Sequence, residues 1–197
     1  CDRTGKKRLR EKMYRQGQRV DEARPLLSRQ PTELAEFHCV LVRRAIFDQV
    51  GPLDETFMNT KEHLDFCMGV IQAGGSVYFE PEALVTYVPG PPLDLSDVPF
   101  YMLRWSDDWT RQSLDRMREK WGVSEDGYFK AKYKKLGWRR REALISPLSR
   151  WLSFGWRNWY LEAAIARCDR LFNYWLTYRY AQQIQMRQHN SKSRFIK

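Results

Sequence analysis

Apolar residues change their spacing along the chain, and each spacing predicts a different element. Residues 3 to 30 are polar and basic, with a break at Pro25, and read as a connecting or partly helical segment. Phe37 to Val42 (FHCVLV) is a short apolar run with β-branched residues, which predicts a buried strand. Arg43 to Val50 predicts a short helix with Gly51 placed to end it, and Pro52 to Met58 predicts a loop carrying Asp54 and Glu55. Asn59, followed three residues later by Glu62, spells a capping box, and Leu64, Cys67, Met68 and Ile71 continue at helical spacing up to Gly74 and Gly75. A helix is therefore expected from about residue 60 to 73. Residues 76 to 80 and 83 to 88 predict strands separated by Pro81, and PGPP at 89 to 92 closes the unit. Residues 107 to 121 predict a helix with Trp109, Leu114, Met117 and Trp121 on one side. Leu161, Ile165, Cys168, Phe172 and Trp175 step by four, three, four, three, a narrow apolar stripe on a helix of about 25 residues. That stripe is expected to pack on the rest of the chain or on a partner helix.

Composition narrows the classes. The 197 residues suit one domain, or one domain with a helical appendage. A hydrophobic content of 43% with eight Trp, ten Tyr and ten Phe excludes a disordered chain. No eighteen-residue apolar run spans a bilayer, and no short apolar stretch after a charged start reads as a secretory signal. Cysteines at 1, 39, 67 and 168 make neither a metal knuckle nor a disulfide scaffold, so a reducing, cytoplasmic setting is expected. The chain opens on Cys1 and a polar basic stretch, and is expected to be a piece of something longer. Net charge is +10, and residues 130 to 197 alone carry sixteen Lys or Arg against Glu142, Glu162 and Asp169. The basicity belongs to the tail, so any polyanion or anionic membrane is expected to meet the chain there.

Three stretches, EFHCVLVRRAIFDQVGPLDETF (36 to 57), KEHLDFC (61 to 67) and AGGSVYFEPEALVTYVPGPP (73 to 92), together resemble the second half of a family 2 glycosyltransferase domain of the GT-A fold. The likeness covers about residues 34 to 92: Arg-Arg after a strand, then Gly51, Leu53, Asp54, Glu55 and Phe57, then the acidic Glu62 and Asp65. Ala73, Gly74, Val77, Phe79, Pro81, Ala83 and Val85 complete it. The resemblance implies an α/β class: residues 1–33 connecting, 34–96 the C-terminal half of a partial GT-A (nucleotide-diphospho-sugar transferase) domain, and 97–197 a mainly helical, basic, aromatic-rich extension. It also implies transfer of a sugar from a nucleotide-sugar donor to a saccharide or lipid-linked acceptor hydroxyl, with inversion. Such transfer needs a carboxylate base at the acceptor and positive charge on the leaving diphosphate. The family's Asp-x-Asp motif for nucleotide and metal does not stand upstream of residue 34, so a divalent metal (Mg or Mn) is expected on ligands mostly outside this chain. His63 takes the place of the usual second acid, which leaves Glu62 as first candidate base and Asp65, one turn on, as second. Asp54, Glu55, His63 and Arg43 are the expected substrate contacts, and no residue is assigned as a metal ligand.

Other classes compete. Glu62 as nothing more than the cap partner of Asn59, and Asp54 and Glu55 as solvated loop acids, are the plain readings. The tail suits a membrane interface, with Trp151, Phe154, Trp156, Trp159 and Tyr160 among lipids, arginines on phosphates, and the protein peripheral to the inner membrane face. A non-catalytic interaction module is a further alternative. A nucleic-acid-binding protein is the least favoured, because no recognition motif accompanies the basic tail and the front is slightly acidic, so no nucleic acid is expected.

Overall fold

The structure, a computed structural model, describes the backbone of residues 7–88 and 93–194, with side chains to residue 184. The chain divides into two compact units, one of residues 1–92 and 113–129, the other of residues 93–112 and 130–197. Residues 113–129, expected with the helical extension, group with the first unit.

In the first unit, α1 (Val20–Ala23) and a 3₁₀ turn lead to β1 (Gln30–Thr32), and α2 is Arg44–Val50. Gly51, at φ 81°, ends α2 in the left-handed region that favours glycine, where the sequence places the stop. Next come α3 (Glu62–Gln72) and β2 (Val77–Phe79), which pairs antiparallel with β1, Gln30 opposite Phe79. Leu64, Phe66, Cys67 and Val70 bury the inner face of α3, and Phe47 of α2 stacks on Phe66 at 5.3 Å between ring centres. The last residues of α5 (Asp107–Trp121) add Leu114 and Met117, the latter fully buried.

Expected strands are missing at two places. Residues 37–42 form turn and coil with Leu41 98% exposed, and residues 83–88 are coil with Val85 and Tyr87 exposed. A strand is stable only where a neighbour completes its hydrogen-bond ladder, and among the described residues the named strands are β1 and β2 alone. The segment PGPP lies outside the described residues. The expected capping box does not form either. Lys61, not Asn59, is the N-cap of α3, and Asn59 is buried against the Ser113 hydroxyl.

The second unit is helical: α4 (Val98–Arg104), the first residues of α5, α6 (Gly127–Lys134, shared with the first unit), α7 (Trp138–Arg140), a π turn over Arg141–Ile145, α8 (Ser146–Leu152) and α9 (Trp159–Arg194). The stripe expected to pack inward on α9 is largely turned out, with Phe172, Trp175 and Cys168 exposed. The buried face carries Glu162, Asn173 and Thr177 instead. The reason lies in hydrogen bonds. Asn173 donates its amide to the Met102 carbonyl of α4 at 2.8 Å and accepts the Asp107 N–H of α5 at 3.2 Å, satisfying two backbone groups that helix ends leave open. Thr177 bonds Asp108 at 2.8 Å, and Asp169 bonds the Arg140 guanidinium. The widened π turn brings Arg141 and Ser146, five residues apart, onto one oxygen of Glu162, at 2.7 and 3.0 Å. Those two bonds hold the Glu162 carboxyl below the usual carboxylate range. A helix tied down by polar groups leaves its aromatic residues to face outward.

Candidate functional site

The first turn of α3 holds the expected catalytic residues, and its start is fixed from behind. Lys61 adopts a left-handed φ of 75°, and its buried ammonium pairs with Glu11 and the Tyr128 hydroxyl. Burial and the charge of Glu11 push that tyrosine hydroxyl well above its ordinary range. A non-glycine residue in this conformation persists only where its surroundings hold it, and here a buried ion pair does so.

Glu62 follows. Its Oε2 is buried and accepts no hydrogen bond. His63, next in the chain, keeps Nε2 buried and without a hydrogen bond, although the atom lies 3.5 Å from Glu36 Oε1. That distance permits an ion pair when the imidazole is protonated, and no hydrogen bond joins the two. The Phe37 ring stands edge-on to His63 at 6.1 Å. A carboxylate and an imidazole with open polar atoms thus sit at consecutive positions on one helix start, where the helix dipole favours negative charge.

Asp65 is in a different state. Its Oδ1 accepts the Trp121 indole N–H at 2.8 Å, and its Oδ2 accepts Lys120 Nζ at 2.8 Å. Both oxygens are engaged and the side chain is buried, so Asp65 is a tie between α3 and α5. Lys120 also reaches Asp54 Oδ2 at 3.2 Å, and Arg116 grips that same oxygen at 2.8 and 3.1 Å. Thr56 donates both its hydroxyl and its N–H to the other oxygen. Burial pulls the Asp54 carboxyl upward, but these hydrogen bonds outweigh it and hold the group far below the usual carboxylate range. Asp54 therefore anchors the 52–58 loop to α5. Glu55 beside it is exposed, and Arg43 is exposed at the N-cap of α2.

Of the residues expected from sequence, Glu62 and His63 stand at consecutive positions of α3, each with a buried polar atom in no hydrogen bond, and Lys120 joins Asp54 to Asp65. It does not place Asp54 or Asp65 with an open carboxylate oxygen. Lys120, Arg116 and Glu36 escaped sequence reasoning. The signal for the first two was present only in retrospect, as basic residues four apart on the polar flank of α5 opposite a loop acid. Trp121 was legible as an apolar position, but its indole N–H is what the site uses.

Among the described residues no three His, Cys, Asp or Glu side chains gather as a metal site requires. Nor is any helix there long and apolar enough to cross a membrane. The chain matches no protein-family model, no curated protein and no solved structure.

Proposed function

We propose that this chain is the acceptor-side half of an inverting, family 2-like sugar transferase of the GT-A fold, with Glu62 as the general base. The carrying observation is the buried Glu62 Oε2 that accepts no hydrogen bond, at the point where the motif order calls for a base. A buried polar atom left open costs about 1–3 kcal/mol, and such costs are retained where chemistry uses them. In the reaction, the acceptor hydroxyl gives its proton to the Glu62 carboxylate as its oxygen bonds the anomeric carbon. The bond from that carbon to the nucleotide diphosphate breaks on the opposite face. The donor and its divalent metal are proposed to bind residues outside this chain. His63, with its open Nε2, is proposed to hydrogen-bond the acceptor sugar, and Glu55 and Arg43, both exposed, to contact it from the flanking loop and helix.

The test is transfer from a panel of nucleotide sugars by the chain joined to its donor half. Glu62→Gln is expected to slow turnover by roughly 10²- to 10⁴-fold with donor affinity unchanged, the range for losing a general base. Asp65→Asn is expected to lower stability and to leave turnover of the folded fraction within about threefold. Full activity in Glu62→Gln removes the base assignment, and failure to consume any nucleotide sugar removes the class.

A further inference from the structure

The second unit carries a surface that the sugar-transfer reading does not use. Between the π turn, α8 and the start of α9 lies a cleft of about 390 Å³. Arg141, Arg150 and Arg157 line it, with Ser149, Glu142 and Glu162. Arg141 is committed to Glu162 at 2.7 Å, whereas the guanidiniums of Arg150 and Arg157 are exposed and in no hydrogen bond or salt bridge among the described residues, Arg157 acting on the Glu162 carboxylate only through its charge. Two guanidiniums free of hydrogen bonds at one polar cleft are a fitting recess for a phosphate.

The stretch of chain that carries Arg150 and Arg157 is also aromatic. Trp151, Trp156, Trp159 and Tyr160 are exposed, and Phe154 is 95% exposed. Phe154 also breaks a local rule. It sits at φ 52°, with Gly155 N–H bonded to the Arg150 carbonyl and Phe154 N–H to that of Trp151. These are the paired bonds of a Schellman helix end, whose left-handed position favours glycine or asparagine. A large apolar residue held there, in water, is unfavourable on both counts, and local violations of this kind gather at functional sites.

We infer that this face of the second unit docks on an anionic phospholipid bilayer, with a lipid phosphate in the arginine cleft and the aromatic side chains at headgroup depth. Charge complementarity selects the occupant: the segment from residue 130 to 197 is net basic by 13, and exposed aromatics interleaved with arginines are the composition of an interfacial segment. A protein partner would not require arginines free of hydrogen bonds, and a nucleic acid would not require Phe154 outward.

The test is co-sedimentation of the full chain with phosphatidylcholine vesicles, without and with about one-third phosphatidylglycerol, at physiological salt. Binding is expected on the anionic vesicles and at least tenfold weaker on the neutral ones. Arg150→Ala with Arg157→Ala is expected to weaken binding about 30-fold, roughly fivefold for each basic side chain at an anionic surface. Phe154→Asn is expected to weaken it about tenfold, the loss of an inserted apolar ring, while raising the unfolding temperature because asparagine suits the left-handed turn. That variant separates lipid contact from folding. Equal affinity for both vesicle types overturns the proposal. So does unchanged binding in both variants, or complete displacement of the protein from anionic vesicles by an equimolar single-stranded oligonucleotide.

Discussion

Replacing Arg140 by methionine measures how the second unit is held. Arg140 is only 1% exposed and is the largest fully buried side chain among the described residues. Its Nε and Nη2 reach Asp169 at 3.1 and 3.0 Å, its Nη1 reaches Asp107 at 3.0 Å, and the same Nη1 donates to the Trp105 carbonyl. Burial pulls the guanidinium pKa down, yet Asp169 and Asp107 outweigh it and raise it above the ordinary value. Methionine fills most of the volume but supplies no donor. Asp169, 8% exposed at its side chain, is then left charged without a partner, and the Trp105 carbonyl loses its donor. Removing one partner of a buried ion pair costs about 3–5 kcal/mol, whereas removing both is often nearly neutral. Arg140→Met should therefore lose about 4 kcal/mol, and adding Asp169→Leu should restore at least about 1 kcal/mol of it. For a chain of this size each kcal/mol moves the unfolding midpoint by roughly 2–4 °C, so a fall on the order of 10 °C is expected. Urea unfolding followed by circular dichroism, with the denaturant slope checked for constancy, gives the free energies. A loss under about 1 kcal/mol, or a double variant no more stable than the single one, would refute the claim that an unpaired Asp169 carries the cost.

Three further outcomes follow from the first unit. Asp54 has its folded pKa depressed, so its stabilisation is complete above the ordinary carboxylate value near 3.8 and is lost as pH falls below it; urea midpoints across that window should drop more in the parent than in Asp54→Asn. Gly75→Ala would place a Cβ 2.8 Å from Val70 Cγ1 and 2.9 Å from the Val70 carbonyl oxygen, so a loss of about 1–3 kcal/mol is expected in thermal unfolding. Met117→Ala, at a fully buried position, should cost about 2–5 kcal/mol, read by the same melts, and no change there would show that α5 does not pack as described.

Local signals in the sequence were sufficient for α2, α3 and α5, but not for α4, α6, α7 and α8, which no periodicity predicted, nor for the length of α9, 36 residues where about 25 were expected. Gly51 ends α2, and the period of Leu64, Cys67 and Ile71 gives α3 to within two residues at each end. Asp107 to Trp121 appears with the expected bounds and with Leu114 and Met117 inward. What failed depends on partners distant in sequence. Phe37 to Val42 is a strand only if another chain segment lies beside it. The face of α9 was read from apolar spacing, but five polar side chains among Glu162, Asp169, Asn173, Thr177 and Arg140 decide it, and no periodicity announces which polar groups will meet. At the candidate site the acids were visible, while their division into an open Glu62 and a committed Asp65 required knowing where Lys120 and Trp121 fall.

Asn173 has a consequence for chemical ageing. Its amide nitrogen gives to one helix end and its carbonyl oxygen takes from another, so the side chain reads polarity rather than size. Hydrolysis of that amide to a carboxylic acid would preserve shape to within one atom, yet it would set oxygen against oxygen at the Met102 carbonyl. The damage would register as a loosening between α4 and α9 without any change in packing volume.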